Sequence, residues 1–187
     1  MRTKVLLLMA LLFLSSSLYA QSNRFFLNFG TGLSTPMSEE GFTNLYNMGF
    51  NLHGGAGLVF SSSVAGRLSL EHNRFPQSSN NLGQSGTFTI TSIKADIMAG
   101  EVNNIKTVNP YGVAGIGAYI LSVSVTENNF TRSESETNMG VGLGGGINFK
   151  VSPNMGIYTE AQYNIIFNED GAAKGFLPIK VGINYIP

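Results

Sequence analysis

Met48-Gly-Phe-Asn-Leu-His-Gly-Gly-Ala-Gly-Leu-Val-Phe60 is the stretch on which the fold turns. Its even positions read Met48, Phe50, Leu52, Gly54, Ala56, Leu58 and Phe60. Its odd positions read Gly49, Asn51, His53, Gly55, Gly57 and Val59. A two-residue period is the signature of a strand whose two faces meet different surroundings. Seven more segments repeat the split: about Phe25–Leu33, Val64–His72, Phe88–Ala99, Tyr111–Val125, Met139–Lys150, Met155–Ile165 and Leu177–Ile186. Their charges gather on one phase and the other phase is apolar, as in Leu68 and Leu70 against Arg67 and Glu71. The fourth segment begins on the opposite phase (Phe88, Ile90), which predicts a bulge or shift near Thr91.

The amino terminus gives this pattern its setting. Arg2 and Lys4 precede an apolar run from Val5 to Leu14, and Ala20 offers a small residue for cleavage. The run is too short for a helix that crosses a bilayer, which takes about 20 residues. Residues 1–20 therefore read as a cleaved signal peptide and residues 21–187 as one domain. Strands with one charge-free face, following an export signal, predict an all-β fold. The expected architecture is an eight-stranded antiparallel up-and-down transmembrane barrel, lipid outside and polar side chains inside, in the cell outer membrane. A soluble barrel of lipocalin type would reverse the two faces.

Composition agrees. Without Arg2 and Lys4 the eleven basic residues fall to nine against eleven acidic ones, a net charge of −2, and no basic stripe suggests nucleic acid. The absence of cysteine excludes disulfides, thiol catalysis and thiolate metal sites. The connections alternate in length: Ser61–Ser63 and Val151–Asn154 are tight, whereas Ser34–Asn47, Arg74–Gly86, Thr126–Asn138 and Asn168–Gly175 are long and polar. Short periplasmic turns and four longer extracellular loops are expected. Phe25, Phe60, Tyr111, Phe149 and Tyr185 toward one end, with Phe50, Tyr119 and Tyr163 toward the other, would form two aromatic girdles.

Pro110-Tyr-Gly-Val-Ala-Gly-Ile-Gly117, Val151-Ser-Pro-Asn154 with Tyr158-Thr-Glu-Ala-Gln-Tyr163, and Leu177-Pro-Ile-Lys-Val-Gly-Ile-Asn-Tyr185 resemble the small eight-stranded outer-membrane barrels of the OmpA-transmembrane-domain and opacity-protein type. The resemblance spans the mature chain. It implies that Lys180, Gly182 and Tyr185 form a C-terminal assembly signal for the barrel-insertion machinery, with Pro187 standing where the family ends on an aromatic. It also implies outer-membrane lipid and lipopolysaccharide as surroundings, and loops that contact an extracellular ligand or a host surface.

An eight-stranded lumen is just wide enough for side chains to fill it, so diffusion as through a porin is not expected. Arg67, Glu71, Lys94, Asp96, Glu160 and Lys180 are the expected lumen charges, with Lys150 near the periplasmic rim. Register suggests Arg67 with Asp96, Glu71 with Lys94 and Glu160 with Lys180, a structural ion network rather than an ion path. Lipid-A acyl chemistry would need a histidine with a serine and a carboxylate in reach, and neither His53 nor His72 sits in such a setting. Gly140-Val-Gly-Leu-Gly-Gly145 matches a dinucleotide fingerprint but lies between strand signals, so no cofactor is expected. Glu39-Glu40 and Glu169-Asp170 read as solvated loop pairs, so no metal is expected either. The expected role is structural or surface-interactive and not enzymatic, with a lipid-modifying enzyme or a narrow channel as alternatives. An arginine at Leu68 or Ile147 should destabilise the barrel, and Gly144→Ser on the other phase should be milder.

Overall fold

The computed structural model describes residues 24–187 except 38–39, 79–84, 102–105, 128–129 and 169–172. The signal segment and the pairs Glu39-Glu40 and Glu169-Asp170 lie wholly or partly outside the described residues. Eight strands follow in chain order: β1 (Arg24–Pro36), β2 (Gly49–Val59), β3 (Val64–Pro76), β4 (Ser85–Gly100), β5 (Val108–Glu127), β6 (Phe130–Ser152), β7 (Met155–Phe167) and β8 (Ala173–Tyr185). Each pairs antiparallel with the next, and β8 pairs with β1 to close the barrel. Closure gives every strand a paired neighbour on both sides in the wall, which a sheet surrounded by lipid requires.

Period-two patterning becomes inside and outside. Outward Leu68 is 65% and Leu143 71% exposed, whereas inward Arg67 is 2% and Glu71 0% exposed. An apolar belt this continuous around the wall is incompatible with water and suits a bilayer. Phe25, Phe60, Phe149 and Tyr185 lie exposed toward the tight-turn end, and Phe50 toward the loop end.

Three expectations change. The first is the facing of β5. Tyr111, Val113, Tyr119 and Leu121 are buried inside, while Ile116 and Ile120 face outward. Neither phase of this strand carries a charge in the barrel wall, so charge did not distinguish them. Tyr111 and Tyr119 are therefore lumen residues, not girdle residues. The second is the bulge at Thr91. The β3–β4 ladder runs unbroken from Val64↔Ala99 to Pro76↔Thr87, and the shift among the described strands lies between Lys150 and Ser152 in β6. Phe88 and Ile90 are inward and apolar because the lumen itself is apolar at that level.

The third concerns the long connections. A short helix, α1 (Glu40–Leu45), lies between β1 and β2. β5 and β6 stay paired out to Glu127↔Phe130, so most of Thr126–Asn138 is strand. β3 and β4 likewise run to Pro76 and from Ser85, and β8 begins at Ala173.

The lumen has three tiers. At the loop end Phe75, Phe88, Ile90, Tyr119, Ile166 and Phe176 pack together under Phe42 of α1. The Phe42 ring lies 5.1 Å from Phe88 and 5.6 Å from Phe75, both edge-on. At the turn end Phe26, Val59, Ala65, Met98, Tyr111, Val113 and Ile186 form a second apolar cluster. Charges occupy the space between.

Candidate functional site: the charged middle of the lumen

Alternation places Arg67, Ser69, Glu71 and Asn73 inward on β3, Lys94 and Asp96 on β4, Glu160, Gln162 and Asn164 on β7, and Lys180 on β8. The facing wall of β5 and β6 makes room with glycine. A Cβ on Gly142 would come within 2.8 Å of Gln162 Nε2, and one on Gly115 would strike Asp96 Oδ1. Long side chains from four strands thus reach across a wall that has none of its own at that level.

Arg67 bonds Asp96 through Nε at 3.0 Å and holds Glu160 with Nη1 at 2.9 Å and Nη2 at 3.0 Å. Lys180 Nζ lies 3.0 Å from Glu160 Oε1 and 3.0 Å from Glu71 Oε2. Lys94 Nζ completes the series 2.9 Å from Glu71 Oε2 and donates to Gln162 Oε1 at 2.7 Å. In order, Asp96, Arg67, Glu160, Lys180, Glu71 and Lys94 form one chain of alternating sign. All six side chains are fully buried, with three charges of each sign.

Sequence register anticipated three of these contacts: Arg67–Asp96, Lys94–Glu71 and Lys180–Glu160. It missed Arg67–Glu160 and Lys180–Glu71, which cross the lumen between strands that do not pair. It also missed Tyr111, whose hydroxyl donates to Glu160 Oε2 at 3.0 Å, and Tyr119, which donates to Asn164 Oδ1 at 3.0 Å. Gln162 donates to Asp96 Oδ1 at 3.2 Å and Asn51 to Glu71 Oε1 at 2.9 Å. Tyrosine hydroxyls and amides inside an apolar-capped lumen need partners: Glu160, Asp96 and Glu71 supply them to Tyr111, Gln162 and Asn51, and the Asn164 amide oxygen to Tyr119.

The other candidates fall elsewhere. His53 is buried with Nδ1 3.7 Å from Glu71 Oε2, beyond hydrogen-bonding distance. His72 Nδ1 lies 2.9 Å from Thr91 Oγ1 on the outer side of the wall. Gly140–Gly145 continues as β6, with no helix to receive a phosphate. Lys150 is half-buried near the end of the same strand. On β8, Lys180 points into the lumen, Gly182 is half-buried and Tyr185 faces out. Among the described residues no group of three or more His, Cys, Asp or Glu could hold a metal.

Three solved structures of similar architecture are surface or outer-membrane proteins. Neisserial surface protein A is 19% identical, with a TM-score of 0.60 over 86% of this chain and 96% of that one. A major outer membrane protein from Thermus thermophilus is 14% identical, with a TM-score of 0.62 over 89% of this chain and all of that one. Ail, the attachment invasion locus protein of Yersinia pestis, solved with the heparin analogue sucrose octasulfate, is 21% identical, with a TM-score of 0.54 over 88% of this chain and 100% of that one. At such identities the likeness is one of fold. No curated protein matches the sequence. The family described as the outer membrane protein beta-barrel domain matches residues 6–185. By that match, and by an apolar exterior wrapped around a charged interior, the chain belongs to the outer membrane protein beta-barrel family and to the outer membrane.

Proposed function

We propose that this protein is a structural and surface-interacting component of the outer membrane, with a closed lumen and no catalytic activity. The observation that carries the reading is the six-charge chain held between two apolar tiers. Ions crossing the lumen would have to part Arg67 from Glu160 and Lys180 from Glu71 and then pass the Phe42–Phe75–Phe88 cluster. Parting buried ion pairs between two apolar tiers is costly. The pairing of His72 with Thr91, rather than with a serine and a carboxylate, speaks against acyl chemistry at the outer leaflet. The same reading assigns residues 1–20 to export, Lys180, Gly182 and Tyr185 to recognition by the assembly machinery, and contact with lipopolysaccharide or an extracellular partner to the outer rim and loops.

Two measurements test it together. Purified protein in planar lipid bilayers is expected to give no stepwise conductance. Lipid A from cells with and without the protein is expected to have one mass profile. Reproducible channels, or a shifted acyl pattern that depends on the protein, would replace this reading with one of its two rivals.

A further inference from the structure

On the outer face of β3 to β6 the apolar wall gives way to polar side chains within two rows. Leu70, Ile93, Ala118 and Met139 stand side by side in the ladders. The next outward row toward the loop end is His72, Thr91, Ile120 and Thr137, and the row after it is Arg74, Thr89, Ser122 and Ser135. Pairing with β2 sets Phe50 beside Arg74. Hydrocarbon suits the first row and not the third, so the edge of the lipid belt on this side falls between them.

Arg74 is the charge that stands on that edge. It is exposed, and among the described residues it pairs with no carboxylate. The described acidic side chains of β3 to β6 are Glu71, Asp96, Glu134 and Glu136, and all four stand on the opposite phase of their strands. Around Arg74 the outer face offers a phenyl ring, hydroxyls and a histidine. His72 engages Thr91 through Nδ1 at 2.9 Å, which leaves Nε2 for a ligand. Neighbouring side chains in such rows stand about 5 Å apart at Cβ, close enough to share one small group.

We propose that Arg74, with His72 and Ser122 near it and Phe50 at its side, binds the phosphate of a lipid headgroup lodged against the outer wall. A guanidinium can give two parallel N–H bonds to two phosphate oxygens. The Ser122 hydroxyl and the His72 ring face the oxygens that remain. The acyl chains of the same molecule run down over Leu70 and Ile93, which are exposed on the wall directly below. An anion and an apolar tail in one ligand match a cation and an apolar surface that are continuous on one face, and free phosphate matches only half of it. The proposal rests on the surface-interaction reading. The two fail separately, since a conducting barrel would overturn that reading and leave this face as it is.

The test uses the full chain folded in uncharged detergent micelles, titrated with dioctanoyl phosphatidic acid and read by native mass spectrometry. A one-to-one complex is expected. Dioctanoylglycerol, which has the same chains and no phosphate, is expected to bind roughly tenfold or more weakly. Arg74→Gln, with its far-UV ellipticity unchanged, is expected to weaken phosphatidic acid by a similar factor and leave dioctanoylglycerol as it was. Lys106→Gln, which removes an exposed cation between β4 and β5 at the turn end, is expected to bind like the unaltered protein. Undiminished binding by Arg74→Gln overturns the proposal, and so does an equal loss in Lys106→Gln, which would reduce the effect to net charge. Displacement of the lipid by inorganic phosphate overturns the headgroup in favour of a free anion. A dimer that Arg74→Gln dissolves and phosphatidic acid does not would give the face to a second copy of the chain.

Discussion

Replacing Glu160 by glutamine removes the one group that joins Arg67 to Lys180. In the structure Glu160 receives two bonds from the Arg67 guanidinium, at 2.9 and 3.0 Å, one contact from Lys180 at 3.0 Å and one bond from Tyr111 at 3.0 Å. At an effective dielectric near 20, each charge pair at that separation is worth roughly 5 kcal/mol before desolvation. Arg67 retains Asp96 and Lys180 retains Glu71, but a buried unit of positive charge is left over. Breaking a buried pair in this way costs about 3–5 kcal/mol. Arg67→Met leaves the opposite imbalance and should cost a similar amount. The double variant Arg67→Met/Glu160→Gln restores neutrality, because Asp96, Lys180, Glu71 and Lys94 still balance. Its loss should fall short of the summed single losses by about 2–3 kcal/mol. Urea unfolding in phospholipid vesicles, followed by far-UV ellipticity and tyrosine emission, measures all four proteins. Additive losses, or a Glu160→Gln loss below about 1 kcal/mol, would refute the idea that the chain of charges acts as one unit.

Other expectations follow from the same geometry. Leu68→Arg on the outer wall should cost about 2–4 kcal/mol in vesicle unfolding if it lies near the bilayer midplane, because lipid offers the guanidinium no partner. Gly144→Ser, mild if only its lumen-side phase is weighed, should instead be severe. A Cβ there meets the Ala161 carbonyl oxygen and stands 2.5 Å from Gln162 Cα, both backbone atoms, and the refolding yield of this variant in vesicles checks it. Tyr111→Phe should cost about 1.5–3 kcal/mol through the lost bond to Glu160, whereas a girdle tyrosine at a lipid interface would tolerate the change; chemical denaturation decides. Phe42→Ala should raise amide exchange in α1 and leave the conductance at zero, since the charged tier below it is untouched.

Much of this barrel was legible in the sequence, and what escaped did so for identifiable reasons. Charge on one phase oriented β3, β4, β7 and β8, because Arg67, Lys94, Glu160 and Lys180 can face only inward. β5 gave no such signal in the wall: Tyr111 and Tyr119 look like interface aromatics until Glu160 and Asn164 appear as partners of their hydroxyls. The outer reach of β5 and β6 escaped because Ser133 to Thr137 are all exposed, and a strand wet on both faces has no apolar alternation. α1 escaped because one turn and a half held by Phe42 is too short to show a helical period. Within the lumen, the contacts between paired strands could be read from register. Arg67–Glu160 and Lys180–Glu71 depend on the curvature that brings opposite walls together, and no local pattern encodes that.

The placing of Lys180 has a consequence for the order of assembly. It stands on the last strand, yet one of its carboxylate partners, Glu71, stands on the third. A partly formed sheet that lacks β8 takes one cation from each: Glu71 keeps Lys94 and its bond from Asn51, and Glu160 keeps Arg67 and its bond from Tyr111. Electrostatic neutrality then arrives together with the β1–β8 seam. The final strand therefore completes two jobs in one event, sealing the hydrogen-bonded wall and supplying the cation that the interior still needs. A sheet that closed in the wrong register would carry its mistake inside as an unmatched charge, and an uncompensated buried charge is strongly destabilising.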